Sequence, residues 1–141
     1  MPRRTKIAFG AALLFAATII FATLARTQQN KFTVGTAVAI PGQKSTGFID
    51  VPAGVDAATH IPVVIFRGAK PEPTLAIVSG AHGTEYASII AVERLIATLD
   101  ATKISGTVIL IPLVNIPSFE QKVPHVNPID NKSMNRFYPG K

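Results

Sequence analysis

The rhythm of apolar and polar positions changes once along this chain, near residue 74. Before that point apolar residues tend to alternate with polar ones, the period-2 pattern of strands with one buried face. Of three strand-like segments, "KFTVGTAVAI" (31–40) alternates, "TGFIDV" (46–51) is short, and "HIPVVIFRG" (60–68) is apolar and ends in a glycine. The stretches between them, "PGQKS" and "PAGVDAA", are turn material. An antiparallel N-terminal portion is expected, followed by a rigid connector, "AKPEP" (69–73).

After the connector the pattern becomes strand, helix, strand. "TLAIVSG" reads as a short, fully apolar strand of the buried kind. "TEYASIIAVERLIATLD" (84–100) has helical period, with Ile89, Val92, Ile96 and Leu99 on one stripe and Glu93 and Arg94 off it. Thr84 is the expected N-cap, with Glu85 in the first turn. "SGTVILIPLVN" (105–115) is a second buried strand. The three form a βαβ unit, and ligands gather at the carboxyl ends of such strands. Two segments arrive there: "SGAHGTE" and the proline-broken stretch from Asn115 onward.

Hydrophobic residues make up 48% and charged residues 16%, which argues against a disordered chain. The net charge of +6 sits mostly at the N-terminus, because Arg3, Arg4, Lys6 and Arg26 flank the first apolar segment. The remainder shows no basic stripe, so no nucleic-acid partner is expected. Cysteine is absent, which excludes disulfides, thiolate metal sites and cysteine nucleophiles.

"IAFGAALLFAATIIFATLA" (7–25) is 19 apolar or small residues long and follows a basic stretch. It fits a cleaved signal peptide or a retained membrane anchor. Either reading places the rest of the chain outside the cytoplasmic membrane, exported or anchored. The expected organisation is signal peptide or anchor at 1–25, linker at 26–31 and a catalytic portion at 32–141.

Two motifs carry candidate chemistry. His82 and Glu85 lie where the first buried strand gives way to the helix, bracketed by Gly80 and Gly83. Imidazole nitrogen and carboxylate oxygen are both zinc donors, and a turn between them lets one ion reach both. The same stretch also suits an ordinary capping turn. Asn135 and Arg136 lie in "NKSMNRFYPG". An arginine fork grips a carboxylate with two parallel hydrogen bonds, and a neighbouring amide adds a third. Both side chains reach one ligand only from irregular backbone, with Phe137 and Tyr138 as expected loop anchors.

Together, "GAHGTE" and "NPIDNKSMNRFYPG" resemble the succinylglutamate desuccinylase/aspartoacylase family of zinc carboxypeptidase-like metalloenzymes. "PLVNIPSFEQK" fits the segment between the motifs. The resemblance runs from about Thr33 to Lys141. It implies an α/β fold with a mixed, carboxypeptidase-like (phosphorylase/hydrolase-like) sheet, here incomplete and preceded by a hydrophobic N-terminal helix. It makes His82 and Glu85 two of three Zn2+ ligands and Asn135 and Arg136 the grip on a substrate carboxylate. Asp130 becomes a loop organiser. The family's additional upstream arginine has no counterpart in "EQKVPHV", where Lys122 and His125 are the available substitutes. The third zinc ligand and the general-base glutamate are expected beyond Lys141. His60 and His125 stand in the wrong order to be that ligand, and His60 reads as a surface residue.

The implied activity is zinc-dependent hydrolysis of an amide in a small N-acyl amino acid-like substrate. The alternatives are a carboxypeptidase acting on exported or cell-wall peptides, or an inactive binding remnant. The implied partner is a small molecule or peptide with a free carboxylate, with membrane association through residues 7–25.

Overall fold

A computed structural model describes residues 30–54 and 56–140. The hydrophobic segment at 7–25 and most of the linker at 26–31 lie outside the described residues. The first elements are strands β1 (Phe32–Val34) and β2 (Ala37–Ala39), β3 (Gln43–Val51) and β4 (Thr59–Arg67). Strand β5 (Thr74–Val78), helix α1 (Tyr86–Thr98), strand β6 (Thr107–Ile111) and the short helix α2 (Ile116–Glu120) follow. Single 3-10 turns occupy Ala101–Lys103 and Met134–Phe137.

Four strands form one mixed sheet in the order β3-β4-β6-β5. β4 is antiparallel to β3 and β6, whereas β5 and β6 run parallel through the α1 crossover. The expected antiparallel portion and the βαβ unit are both present.

The core explains why β4 reads as a nearly continuous apolar run. Its successive side chains point to opposite faces, and both faces are covered. Val64 and Phe66 join Val92 of α1, Leu110 and Ala101 on one side. Val63 and Ile65 meet Ala37 and Ala39 of the β1–β2 hairpin on the other. Phe66, Ile65, Leu110 and Val63 are the largest fully buried apolar side chains, each worth roughly 1.5–3 kcal/mol of burial. The helical stripe is as expected. Ile89 and Val92 are buried, and Ile96 and Leu99 pack partly buried against the same cluster.

Three local expectations are corrected. "KFTVGTAVAI" is a tight hairpin, not one strand. Gly35 has φ +57, and a Cβ there would come within 2.0 Å of the Phe48 carbonyl oxygen. That close approach lets the hairpin tip bond β3, with Thr36 N donating to Phe48 O at 2.8 Å and Phe48 N to Thr36 Oγ1 at 2.8 Å. Next, α1 begins at Tyr86 with Glu85 as N-cap residue, and Glu85 makes no capping bond through its side chain. The Glu85 carboxylate is engaged with His82 instead. Finally, β5 is an edge strand among the described residues. Leu75 is 55% exposed and Val78 40% exposed, so the strand is not buried on both faces here.

Candidate metal centre

The segment leaving β5 is held at two points that flank His82. Ser79 N donates to Ile111 O at 2.9 Å, continuing the strand pairing one residue past β5. Gly80 then turns the chain with φ +69, where a Cβ would strike Leu113 Cδ1 at 2.7 Å. The strand-end segment after β6 runs alongside, with Val114 N donating to Ser79 O and Asn115 N to Gly80 O at 3.0 and 3.1 Å.

Asn115 and Ser118 form the clamp. Asn115 is 1% exposed, and its Nδ2 donates to Ala81 O at 3.0 Å. Its Oδ1 accepts from Ser118 N at 3.3 Å and so caps α2. Ser118 is fully buried, and its Oγ accepts from Gly83 N at 2.9 Å and donates to Val123 O at 2.7 Å. The residues on either side of His82 are therefore fixed by one short helix. Gly83 lies so close to that helix that a Cβ would sit 2.2 Å from Phe119 N.

This clamp presents His82 to two partners. Its Nδ1 lies 2.8 Å from Glu85 Oε1, and its Nε2 lies 3.4 Å from Ser133 Oγ. The Ser133 hydroxyl donates to Asn135 Oδ1 at 2.6 Å. A hydroxyl has one proton, so toward His82 the serine oxygen acts as acceptor and the imidazole carries a proton on Nε2. In the neutral Nε2–H tautomer the Nδ1 lone pair faces the carboxylate oxygen. Two acceptors at that separation need a proton or a cation between them. Imidazole and carboxylate together suit a borderline divalent ion such as zinc, so the residues present fit a metal.

His125 completes the cluster. Its ring meets the His82 ring edge to face at a centroid distance of 5.2 Å. One ligand atom from each of His82, Glu85 and His125 lies within 4.8 Å of the others. Sequence order argued against His125 as the third zinc ligand, and spacing along the chain does not reveal a loop that folds back onto the strand end.

The remaining candidates fall as follows. Asn135 is tied to His82 through Ser133, on the 3-10 turn Met134–Phe137. Arg136 lies on the same turn, exposed, and forms no ion pair with a carboxylate among the described residues. Phe137 and Tyr138 are each 54% exposed and do not anchor the loop by burial, contrary to expectation. Asp130 does organise its loop, with Oδ1 accepting from Lys132 N at 3.0 Å. His60 is on the surface, paired with Asp50 at 2.6 Å. A cleft of about 360 Å³ between the β3–β4 loop and the 114–134 segment contains none of the metal donors, Asn135 or Arg136.

Sequence reasoning did not single out Ser118 or Ser133, and it treated Asn115 as part of a family pattern. The signal for Asn115 was local, an N-cap residue with proline two places on. Ser118 and Ser133 carried none, since each acts across more than 30 residues of chain.

The chain is similar to several known proteins. The family described as the succinylglutamate desuccinylase/aspartoacylase catalytic domain matches residues 71–141. The N-alpha-acetyl-L-2,4-diaminobutyric acid deacetylase of Halomonas elongata is 33% identical over 98 residues, covering 67% of this chain and 28% of the deacetylase. The crystal structure of an aspartoacylase family protein from Mesorhizobium loti superposes with a TM-score of 0.63 at 31% identity, over 79% of this chain and 34% of that one. A succinylglutamate desuccinylase/aspartoacylase from Rhodobacter sphaeroides gives 0.60 at 28% identity, over 70% and 30%. The product-bound ectoine utilization protein EutE (DoeB) from Ruegeria pomeroyi gives 0.60 at 26% identity, over 77% and 35%. The chain thus spans about a third or less of the length of these relatives.

One expectation is overturned. Export or membrane anchoring rested on the apolar run at 7–25 alone, which lies outside the described residues. Among the described residues no helix is long and apolar enough to cross a membrane. The relatives bear the names of deacylase and utilization enzymes, none of an exported or membrane-bound protein. The extracytoplasmic placement and the membrane partner are therefore withdrawn. On its motif pair, its mixed sheet and the family match across residues 71–141, the chain belongs to the succinylglutamate desuccinylase/aspartoacylase family.

Proposed function

We propose that residues 32–141 are the N-terminal part of a zinc-dependent catalytic domain that removes the acyl group from a small N-acyl amino acid-like substrate. The observation that carries this reading is the connection from Glu85 through His82 and Ser133 to Asn135, which ties the two sequence motifs into one site. The names of the relatives, a deacetylase of an acetylated amino acid among them, favour deacylation over peptide trimming.

In this reading His82 and Glu85 hold the ion. When bound, zinc polarises the scissile carbonyl and lowers the pKa of a water molecule. Ser133 accepts from His82 Nε2–H, fixing the tautomer that leaves Nδ1 free for the ion. Asn135 and Arg136 hold the substrate carboxylate, Arg136 as a two-pronged donor from an exposed position at the site's rim. Holding the carboxylate sets the distance from the acyl carbonyl to the metal, which is the orientational part of the rate enhancement. No general base is assigned among the described residues.

Metal analysis of a product carrying the whole catalytic domain tests the ligands. Zinc at one equivalent should fall to background in His82→Ala, and retention of the metal there would refute the assignment. Hydrolysis of N-acetyl amino acids against peptides with a free C-terminus tests the substrate class. Preference for peptides would replace the deacylase reading with the carboxypeptidase one. Arg136→Ala should raise KM far more than it lowers kcat if its contact is with the carboxylate in both ground and transition states.

A further inference from the structure

We propose that Ser118 is a positioning residue of the metal centre, whose buried hydroxyl makes the His82 turn and the loop at 122–126 move as one unit. This rests on the metal-site reading above and extends it to a group that lies outside the donor set.

The first argument is the choice of partners. A serine inside a helix usually points to solvent or bonds back to the carbonyl four residues earlier. Ser118 does neither. It is fully buried, and its Oγ accepts from Gly83 N at 2.9 Å and donates to Val123 O at 2.7 Å. Both roles of the hydroxyl therefore serve loops outside its own helix. The backbone of the same residue adds a further link, because Val123 N donates to Ser118 O at 3.0 Å. Both backbone groups of Val123 are thus held by Ser118, and so is the amide that follows His82. An alanine here would suit the helix better but would leave Gly83 N and Val123 O without these partners.

The second argument is the backbone of the loop. Lys122 has φ +55 and His125 has φ +66, both in the left-handed region that favours glycine. Such conformations persist only where the surroundings over-determine them. The bonds that do so are Lys122 N to Phe119 O at 3.3 Å, the two at Val123, and Val126 N to Pro124 O at 2.9 Å. The loop so held brings the His125 ring edge to face against the His82 ring, at a centroid distance of 5.2 Å. His82 is bounded on one side by the Gly83 amide and on another by this loop, and one hydroxyl sets both. Loss of that hydroxyl frees both at once, and the imidazole loses its fixed placement against the Glu85 carboxylate 2.8 Å away.

The test uses a product carrying the whole catalytic domain and compares Ser118→Ala, Ser118→Thr and Val92→Ala with the unaltered protein. Val92 is buried in the α1 core and is no part of the site, so Val92→Ala lowers stability as core truncation does. Ser118→Thr keeps the hydroxyl but adds a methyl group to a filled space, which also lowers stability. Zinc affinity, read by competition titration, should fall about 10–100-fold in Ser118→Ala, the usual cost of losing an outer partner of a metal ligand. It should hold in Ser118→Thr and Val92→Ala, although both denature more easily. Unchanged affinity in Ser118→Ala, or an equal loss in Ser118→Thr or Val92→Ala, overturns the role of Ser118 and leaves His82 and Glu85 in place. Hydrogen exchange in the unaltered protein does not depend on whether the variants fold. Saturating zinc should slow exchange of the Gly83 and Val123 amides together. Protection of Gly83 alone, or of neither, overturns the coupling. Failure of the unaltered protein to bind zinc overturns the metal-site reading itself, and this proposal with it.

Discussion

His82 Nε2 lies 3.4 Å from Ser133 Oγ, and this one contact joins the two motifs across 51 residues of sequence. The serine oxygen accepts the hydrogen bond from Nε2–H, which leaves Nδ1 for a metal. Ser133→Ala removes that acceptor and also deprives Asn135 Oδ1 of its donor. Zinc affinity should fall about 10–100-fold, the usual cost of losing an outer partner of a ligating histidine. Thermal stability of the metal-free chain should be nearly unchanged, because the contact is long and close to the surface. A competition titration showing wild-type zinc affinity would remove Ser133 from the site.

Asn115 makes a different kind of contribution. It is buried, and it satisfies both Ala81 O and the N-terminus of α2. Asn115→Ala removes a cap, worth about 0.5–2 kcal/mol, and orphans a carbonyl, worth about 1–3 kcal/mol. Urea denaturation should show a loss of about 2–4 kcal/mol by the same principles. The loss should be larger than for Ser133→Ala. Equal stability of the two variants would contradict the clamp.

Much of this was legible because the informative signals were local. The double-faced burial of β4 shows in its unbroken "PVVIF", and the helical stripe of α1 shows in Ile89, Val92, Ile96 and Leu99. The hairpin at Gly35 was missed because its strands have three residues each, too short for alternation to reveal a break. The exposure of Leu75 was missed for another reason. An apolar strand states that its faces suit burial, not which chain segment covers them. The nearness of His125 to His82 was not legible because order along the chain says nothing about a loop that folds back.

At Gly83 glycine is required by close packing and not by φ. A Cβ there would sit 2.2 Å from Phe119 N and 2.6 Å from Ser118 C, both backbone atoms that cannot rotate away. Gly83→Ala should separate the His82 turn from α2 and break the Gly83 N–Ser118 Oγ bond, costing about 1–3 kcal/mol as overpacking does. Metal affinity should fall with it. Gly54→Ala is the control, with nothing within 4 Å of its Cβ, and should change stability by less than about 0.5 kcal/mol. Similar effects from the two substitutions would show that the close packing at Gly83 is not what holds the turn.

The two edges of the sheet differ in how they are protected. β3 carries Lys44 and Asp50, and the hairpin tip takes up its Phe48 backbone groups. β5, "TLAIV", carries no charge, pairs only with β6 among the described residues, and leaves Leu75 and Val78 exposed. An apolar, uncharged edge is a template for pairing with another chain. The chain should therefore self-associate through β5 as its concentration rises. Leu75→Lys places a charge on that edge and should suppress the association in sedimentation velocity. Val38→Lys, at an exposed position on the hairpin, should not. If both substitutions, or neither, reduced association, the contact would lie elsewhere than the β5 edge.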